Sequence, residues 1–118
     1  MDDLQKKVKP GDKIYVYYGA VKAFKYYHKT KYYRMIDKGN IIWGDSHRDD
    51  INKYAVDLEK ILKRNMRIWI VFSHWWENER IYIIDYLNNK GDLKMEISSI
   101  GALAYLFKIK SNFSNKIF

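Results

Sequence analysis

Three stretches of the chain are apolar with little or no interruption: Ile14-Tyr15-Val16-Tyr17-Tyr18, Ile41-Ile42-Trp43 after Asn40, and Met66-Arg67-Ile68-Trp69-Ile70-Val71-Phe72. Continuity rather than alternation marks strands covered on both faces. The segments between them repeat their apolar positions every three or four residues, which predicts helices. From Val21 to about Tyr33, Ala20, Val21, Phe24 and Tyr27 share one side, and Lys22, Lys25 and Lys29 share the other with Tyr26 and Tyr33. Ile51, Tyr54, Leu58, Ile61 and Leu62 form a second stripe, with Asp49 or Asp50 placed to cap it. Glu77 or Asn78 opens a third helix, whose stripe reads Ile81, Ile84 and Leu87. Asn88-Asn89-Lys90-Gly91 stops it, with Gly91 expected in a left-handed cap.

Two further strands close the chain. Leu93, Met95 and Ile97 alternate with Lys94, Glu96 and Ser98, the pattern of a half-exposed edge strand. Ser98 to Gly101 is a turn, and Ala102 to Ile109 is again continuously apolar. Residues 2–9 allow one or two helical turns, and Lys9-Pro10-Gly11-Asp12 has the chemistry of a tight turn.

This order predicts an α/β fold: a three-layer α/β/α, Rossmann-like or flavodoxin-like sheet of about five strands. Right-handed crossovers make the first three strands parallel, with helices on both faces. The last two form an antiparallel hairpin, and the strand order expected is 2-1-3-5-4, the last strand antiparallel to its neighbours. Residues 1–110 make one domain, and 111–118 a loosely ordered C-terminal tail.

Composition narrows the field. The 118 residues include no cysteine, so a disulfide scaffold and a thiolate metal site are excluded. No apolar run reaches the roughly 18 residues of a membrane span, and the charged start, Met1 to Lys9, does not read as a secretory signal. The net charge is +8, concentrated in residues 1–38 with ten Lys/Arg against four Asp/Glu. Lysine outnumbers arginine 17 to 5, which fits a solvated basic surface or a lipid phosphate better than the bidentate base contacts of a nucleic-acid reader. Nucleic acid is therefore the least favoured partner.

Ligands of open α/β sheets sit beyond the carboxyl ends of the strands. Residues expected on that rim are Tyr18, Gly19, Asp45, His47, Ser73, His74 and Trp75. Gly19 lies in no phosphate-loop motif and reads as a tight strand-to-helix turn. Asp45, His47, Asp49 and Asp50 lack the fixed spacing of an oxygen-rich cation loop and read as caps and solvated charge, so neither metal nor cofactor is expected. His74 follows an apolar strand and precedes two tryptophans, and reads either as a structural histidine bonding a neighbouring loop or as a partly buried ring with a displaced pKa. Ser73 is in no nucleophile elbow. Of Trp75 and Trp76, one is expected to point inward and one outward. No catalytic residue is assigned.

Three parts of the chain carry a resemblance. Ile14-Tyr15-Val16-Tyr17-Tyr18-Gly19-Ala20 with Phe24-Lys25-Tyr26-Tyr27, and Arg67-Ile68-Trp69-Ile70-Val71-Phe72-Ser73-His74, followed by Gly101-Ala102-Leu103-Ala104-Tyr105-Leu106-Phe107, resemble the water-soluble C-terminal region of polytopic membrane glycosyltransferases related to the dolichyl-phosphate-mannose protein mannosyltransferases. The succession spans nearly the whole chain; the basic amino-terminal third and Trp75-Trp76 depart from it. The resemblance implies a non-catalytic accessory domain on the extracytoplasmic face. Its parent enzyme would transfer sugar from a polyprenyl-phosphate donor elsewhere in the protein. Such a domain would position acceptor, or contact an anionic lipid surface through Lys22, Lys25 and Lys29. Alternative readings are a small-molecule, sugar or nucleotide binder using the strand-end crevice, and a basic nucleic-acid-binding domain, either of them cytoplasmic.

Overall fold

The computed structural model describes residues 2–29 and 37–110, with side chains at 4–26 and 37–110. The elements run α1 (Asp2–Lys7), β1 (Lys13–Val16), a 3-10 turn (Tyr18–Ala20), α2 (Val21–Lys29), β2 (Ile41–Trp43), α3 (Asn52–Ile61), β3 (Arg67–Ser73), α4 (Glu77–Lys90), β4 (Gly91–Ser99) and β5 (Ala102–Ile109). They build one mixed five-stranded sheet in the order β2-β1-β3-β5-β4, the order expected. β1 pairs in parallel with β2 and with β3, Ile14 lying between Ile41 and Trp69. β5 runs antiparallel to both β3 and β4.

The continuous apolar runs are explained by the two-residue period of a strand, which sends neighbours to opposite faces. Tyr15, Tyr17, Ile68, Ile70, Phe72, Tyr105 and Phe107 join Tyr54, Leu58 and Leu62 of the α3 region and Ile83 and Leu87 of α4 in one buried cluster. Ile14, Val16, Ile41, Trp69, Val71, Ala104 and Leu106 join Leu4 of α1, Phe24 of α2 and Ala20 beside it in another.

At the end of the sheet where β1 and β3 begin, the turn before β1 presents Asp12, which is buried. Its carboxylate accepts from Lys9 N–H at 2.9 Å, Arg67 Nε at 2.7 Å and Nη2 at 3.2 Å, and Trp69 Nε1 at 2.9 Å. This end is therefore locked by one carboxylate shared among the turn and β3.

Several expectations are corrected. The buried row of α4 is Glu79, Ile83 and Leu87, spaced four apart, while Ile81 is 47% exposed and Ile84 only half-buried. Glu79 takes the inward position because the hydroxyls of Tyr17 and Tyr18, just past β1, and of Tyr54 on α3 donate to its carboxylate. Gly91 is extended (φ −165, ψ −166), not left-handed. It opens β4 where a Cβ would press into the backbone of β5, 2.9 Å from Ile109 Cα, so close approach rather than a special φ requires glycine. Leu93 is exposed, because the pairing of β4 with β5 shifts between Leu93 and Met95. β1 ends at Val16, and Tyr18 lies in the 3-10 turn. The side chains of Tyr27 and Lys29, the end at Tyr33 of the helix expected from Val21, and the tail 111–118 lie outside the described residues.

Candidate functional site

The carboxyl ends of β1, β2 and β3 share one rim, and a buried carboxylate lies just below it. Tyr17 and Tyr18 leave the end of β1, Tyr54 comes from the first turn of α3, and Glu79 from the first turn of α4. Glu79 is 2% exposed. Its Oε1 accepts from the Tyr17 hydroxyl and from the Tyr18 hydroxyl at 3.1 Å, and its Oε2 accepts from the Tyr54 hydroxyl at 2.8 Å. Among the described residues no Lys, Arg or His pairs with it. Three neutral donors and the amide dipoles of the first helical turn take the place of a counter-ion.

A second layer orients the hydroxyls. Trp76 N–H donates to Tyr17 Oη at 3.3 Å, and His47 N–H donates to Tyr54 Oη at 3.1 Å. The His47 ring meets Asp57 at 2.5 Å and stands edge-on to Tyr54, centroids 5.0 Å apart. Tyr17 also packs on Tyr18 and Phe72, centroids 4.5 Å and 5.2 Å apart. Outside this layer the Arg48 guanidinium lies 4.0 Å from the Trp76 ring centroid and has no carboxylate partner among the described residues. A cleft of about 220 Å3 opens beside it, lined by Arg48, Trp76, Asn78 and Glu79.

Burial, and then the Glu79 carboxylate, push the Tyr17 hydroxyl well above the ordinary tyrosine range. Burial does the same at Tyr54, opposed by the His47 N–H and reinforced by Glu79. At Tyr15 burial acts first, then the charges of Asp57, Asp45 and Glu79; its hydroxyl has no partner among the described residues. In the unfolded chain these groups titrate near pH 10. The folded chain keeps its protons where the unfolded chain loses them, so stability is full below pH 10 and falls above it. The expected loss is about 1 kcal/mol per tyrosine between pH 10 and 11. Urea unfolding with the phenolate absorbance followed in parallel checks this. Ionisation of these tyrosines near pH 10 with no loss of stability would contradict it.

The rim residues expected from the sequence fall into two groups. Tyr18 and His47 belong to the carboxylate cluster, and Trp75 is half-buried against the same core. Gly19 and Ser73 lie on the α2 side. A Cβ on Gly19 would stand 2.5 Å from the Ser73 carbonyl oxygen and 2.7 Å from that of His74, so the glycine lets the 3-10 turn rest on the end of β3. Ser73 pairs with Ala102 and lines an apolar cleft. Asp45 is exposed, and so is His74, contrary to the reading of a partly buried ring. His74 has φ 51, and this left-handed residue turns the chain out of β3 and leaves the ring in solvent. Trp76 is the outward tryptophan, 50% exposed. Lys22 and Lys25 are both exposed, and Lys25 Nζ lies 5.2 Å from the Trp43 ring centroid. The side chain of Lys29 lies outside the described residues.

The sequence reading singles out none of Glu79, Tyr54 and Asp57 as rim chemistry; Arg48 lies in the rim segment Asp45-Ser46-His47-Arg48 that it does place there. Glu79 carried a signal, since it stands four and eight residues before Ile83 and Leu87. A carboxylate in an apolar stripe must find donors or carry a heavy desolvation cost. Among the described residues no three His, Asp or Glu side chains are grouped to hold a metal ion, and no helix is long and apolar enough to cross a membrane. Comparison with known protein families, curated proteins and solved structures finds no match to this chain.

Proposed function

We propose that this chain is a non-catalytic, extracytoplasmic accessory domain of a membrane-embedded glycosyltransferase, three-layered and Rossmann-like, seated against an anionic bilayer surface by α2 and the end of β2. The motif succession around Tyr15-Val16-Tyr17-Tyr18-Gly19-Ala20 and Trp69-Ile70-Val71-Phe72-Ser73-His74 supports the parent class. The observation that carries the surface contact is the basic and aromatic group on α2. Lys22 and Lys25 are exposed, Tyr26 is 65% exposed, and Lys25 stands over the 36% exposed Trp43. Residues 13–36 hold six Lys/Arg and no Asp or Glu. Lysines attract lipid phosphates, and amphipathic aromatic rings favour the headgroup layer.

Sedimentation with lipid vesicles tests the reading. Binding to vesicles containing phosphatidylserine is expected at low salt, weaker at physiological salt, and absent on phosphatidylcholine alone. Each lysine near the surface contributes about 1 kcal/mol, so K22E/K25E should lower partitioning tenfold or more. Equal sedimentation on neutral and anionic vesicles would remove the proposal.

A further inference from the structure

The β4–β5 hairpin turns on two residues, Ile100 and Gly101, because Ser99 pairs with Ala102. Gly101 has φ 73, which closes the turn. Ile100 is fully exposed. Tight turns are the usual place for Asn, Asp, Gly or Pro, and a branched apolar side chain there gains nothing from the fold.

Its surroundings are apolar too. Between the turn and the start of α2 lies a cleft of about 210 Å3, lined mostly by apolar groups, Ala23, Phe24, Val71 and Ile100 among them, with Ser73 and Ser99 as its polar members. Phe24 meets Trp43 edge-on, centroids 5.9 Å apart. Phe24, itself buried, thus joins the cleft beside the hairpin tip to the partly exposed Trp43 at the end of β2. Lys22, Lys25 and Tyr26 flank Phe24 along α2, which carries no acidic residue. Apolar tips set among lysines and amphipathic rings match the water–lipid boundary, where the tip enters the acyl region and the ammonium groups stay with the phosphates.

We infer that Ile100 is the apolar anchor by which this face enters an anionic bilayer, to the depth of the headgroup–acyl boundary. The inference rests on the surface contact proposed above and adds to it an inserted residue and an orientation. The Glu79 cluster and the outer faces of α3 and α4 then lie away from the lipid.

The chain has no cysteine, so an environment-sensitive dye can be placed at one position through I100C, with N88C on the exposed side of α4 as the reference. On phosphatidylserine vesicles the dye at 100 should shift to the blue and be quenched by lipids brominated near the top of the acyl chain. The dye at 88 should do neither. Unlabelled I100D should lose about tenfold in the partitioning that persists at 0.5 M salt, as expected for losing one buried isoleucine side chain. Its melting temperature should match the parent, since Ile100 packs against nothing that folding needs. Vesicle-bound protein with a water-like signal at 100, or I100D binding as well as the parent in high salt, would overturn the anchor and leave the charge-driven contact standing. Absence of binding to anionic vesicles at any salt would overturn both.

Discussion

Replacing Glu79 with alanine is expected to remove about 3 kcal/mol of stability or more, from a domain total of about 5–15 kcal/mol. The carboxylate is the common acceptor for Tyr17, Tyr18 and Tyr54. Its loss strands buried hydroxyls, and each buried donor left unpaired costs about 1–3 kcal/mol. The void left by the side chain adds to this. E79Q should cost less, about 1–2 kcal/mol. Its amide oxygen can still accept from Tyr17 and Tyr18, but its NH2 meets a Tyr54 hydroxyl that needs an acceptor. Urea unfolding of the two variants beside the parent measures both losses. E79A within 1 kcal/mol of the parent, or less stable E79Q than E79A, would show that the tyrosines do not depend on the carboxylate.

D12A should be comparably severe at the opposite end of the sheet, about 3 kcal/mol at neutral pH. Removing the carboxylate leaves the Trp69 indole N–H buried and the Arg67 guanidinium, which is still partly in water, without its partner. Acid titration separates the charge from the shape of the side chain. Burial works to raise the Asp12 pKa, but hydrogen bonds from Arg67, Lys9 N–H and Trp69, with the Arg67 charge, outweigh it and hold the carboxyl below the ordinary value. A lowered folded value means that the contribution is present above the unfolded value near 4 and is lost as pH falls through the folded one. The stability gap between the parent and D12A should therefore narrow below pH 4. A gap that stays constant from pH 7 to pH 2.5 would contradict the charge-assisted reading.

Strand order and helix count were legible because each depends on a pattern that survives without side-chain detail. Ile14 to Val16 and Ile68 to Phe72 are apolar at every position, which demands cover on both faces, and the alternation at Leu93, Met95 and Ile97 demands an edge. The α3 stripe was legible for the same reason: Tyr54, Leu58 and Leu62 are buried where the period puts them. The α4 stripe was not, because its isoleucines are spread around the helix and its inward row includes an acid. No period of apolar residues reveals a carboxylate whose donors come from the residues after β1 and from α3, far away in sequence. His74 was misread for a related reason. Its neighbours Phe72 and Trp75 are inward, but a single left-handed residue turns its ring the other way.

The junction of α4 with β4 has one more consequence. Helix ends at Lys90 and strand begins at Gly91, with no linking residue. Lys110 N–H bonds the Lys90 carbonyl at 3.0 Å, and Gly91 already pairs with Ile109. One residue inserted here would swing Glu79 about 100° out of its hydroxyl nest or invert the two faces of β4. Length changes can be absorbed in the loops before α3 and β3, but this seam works as a ratchet with one permitted tooth.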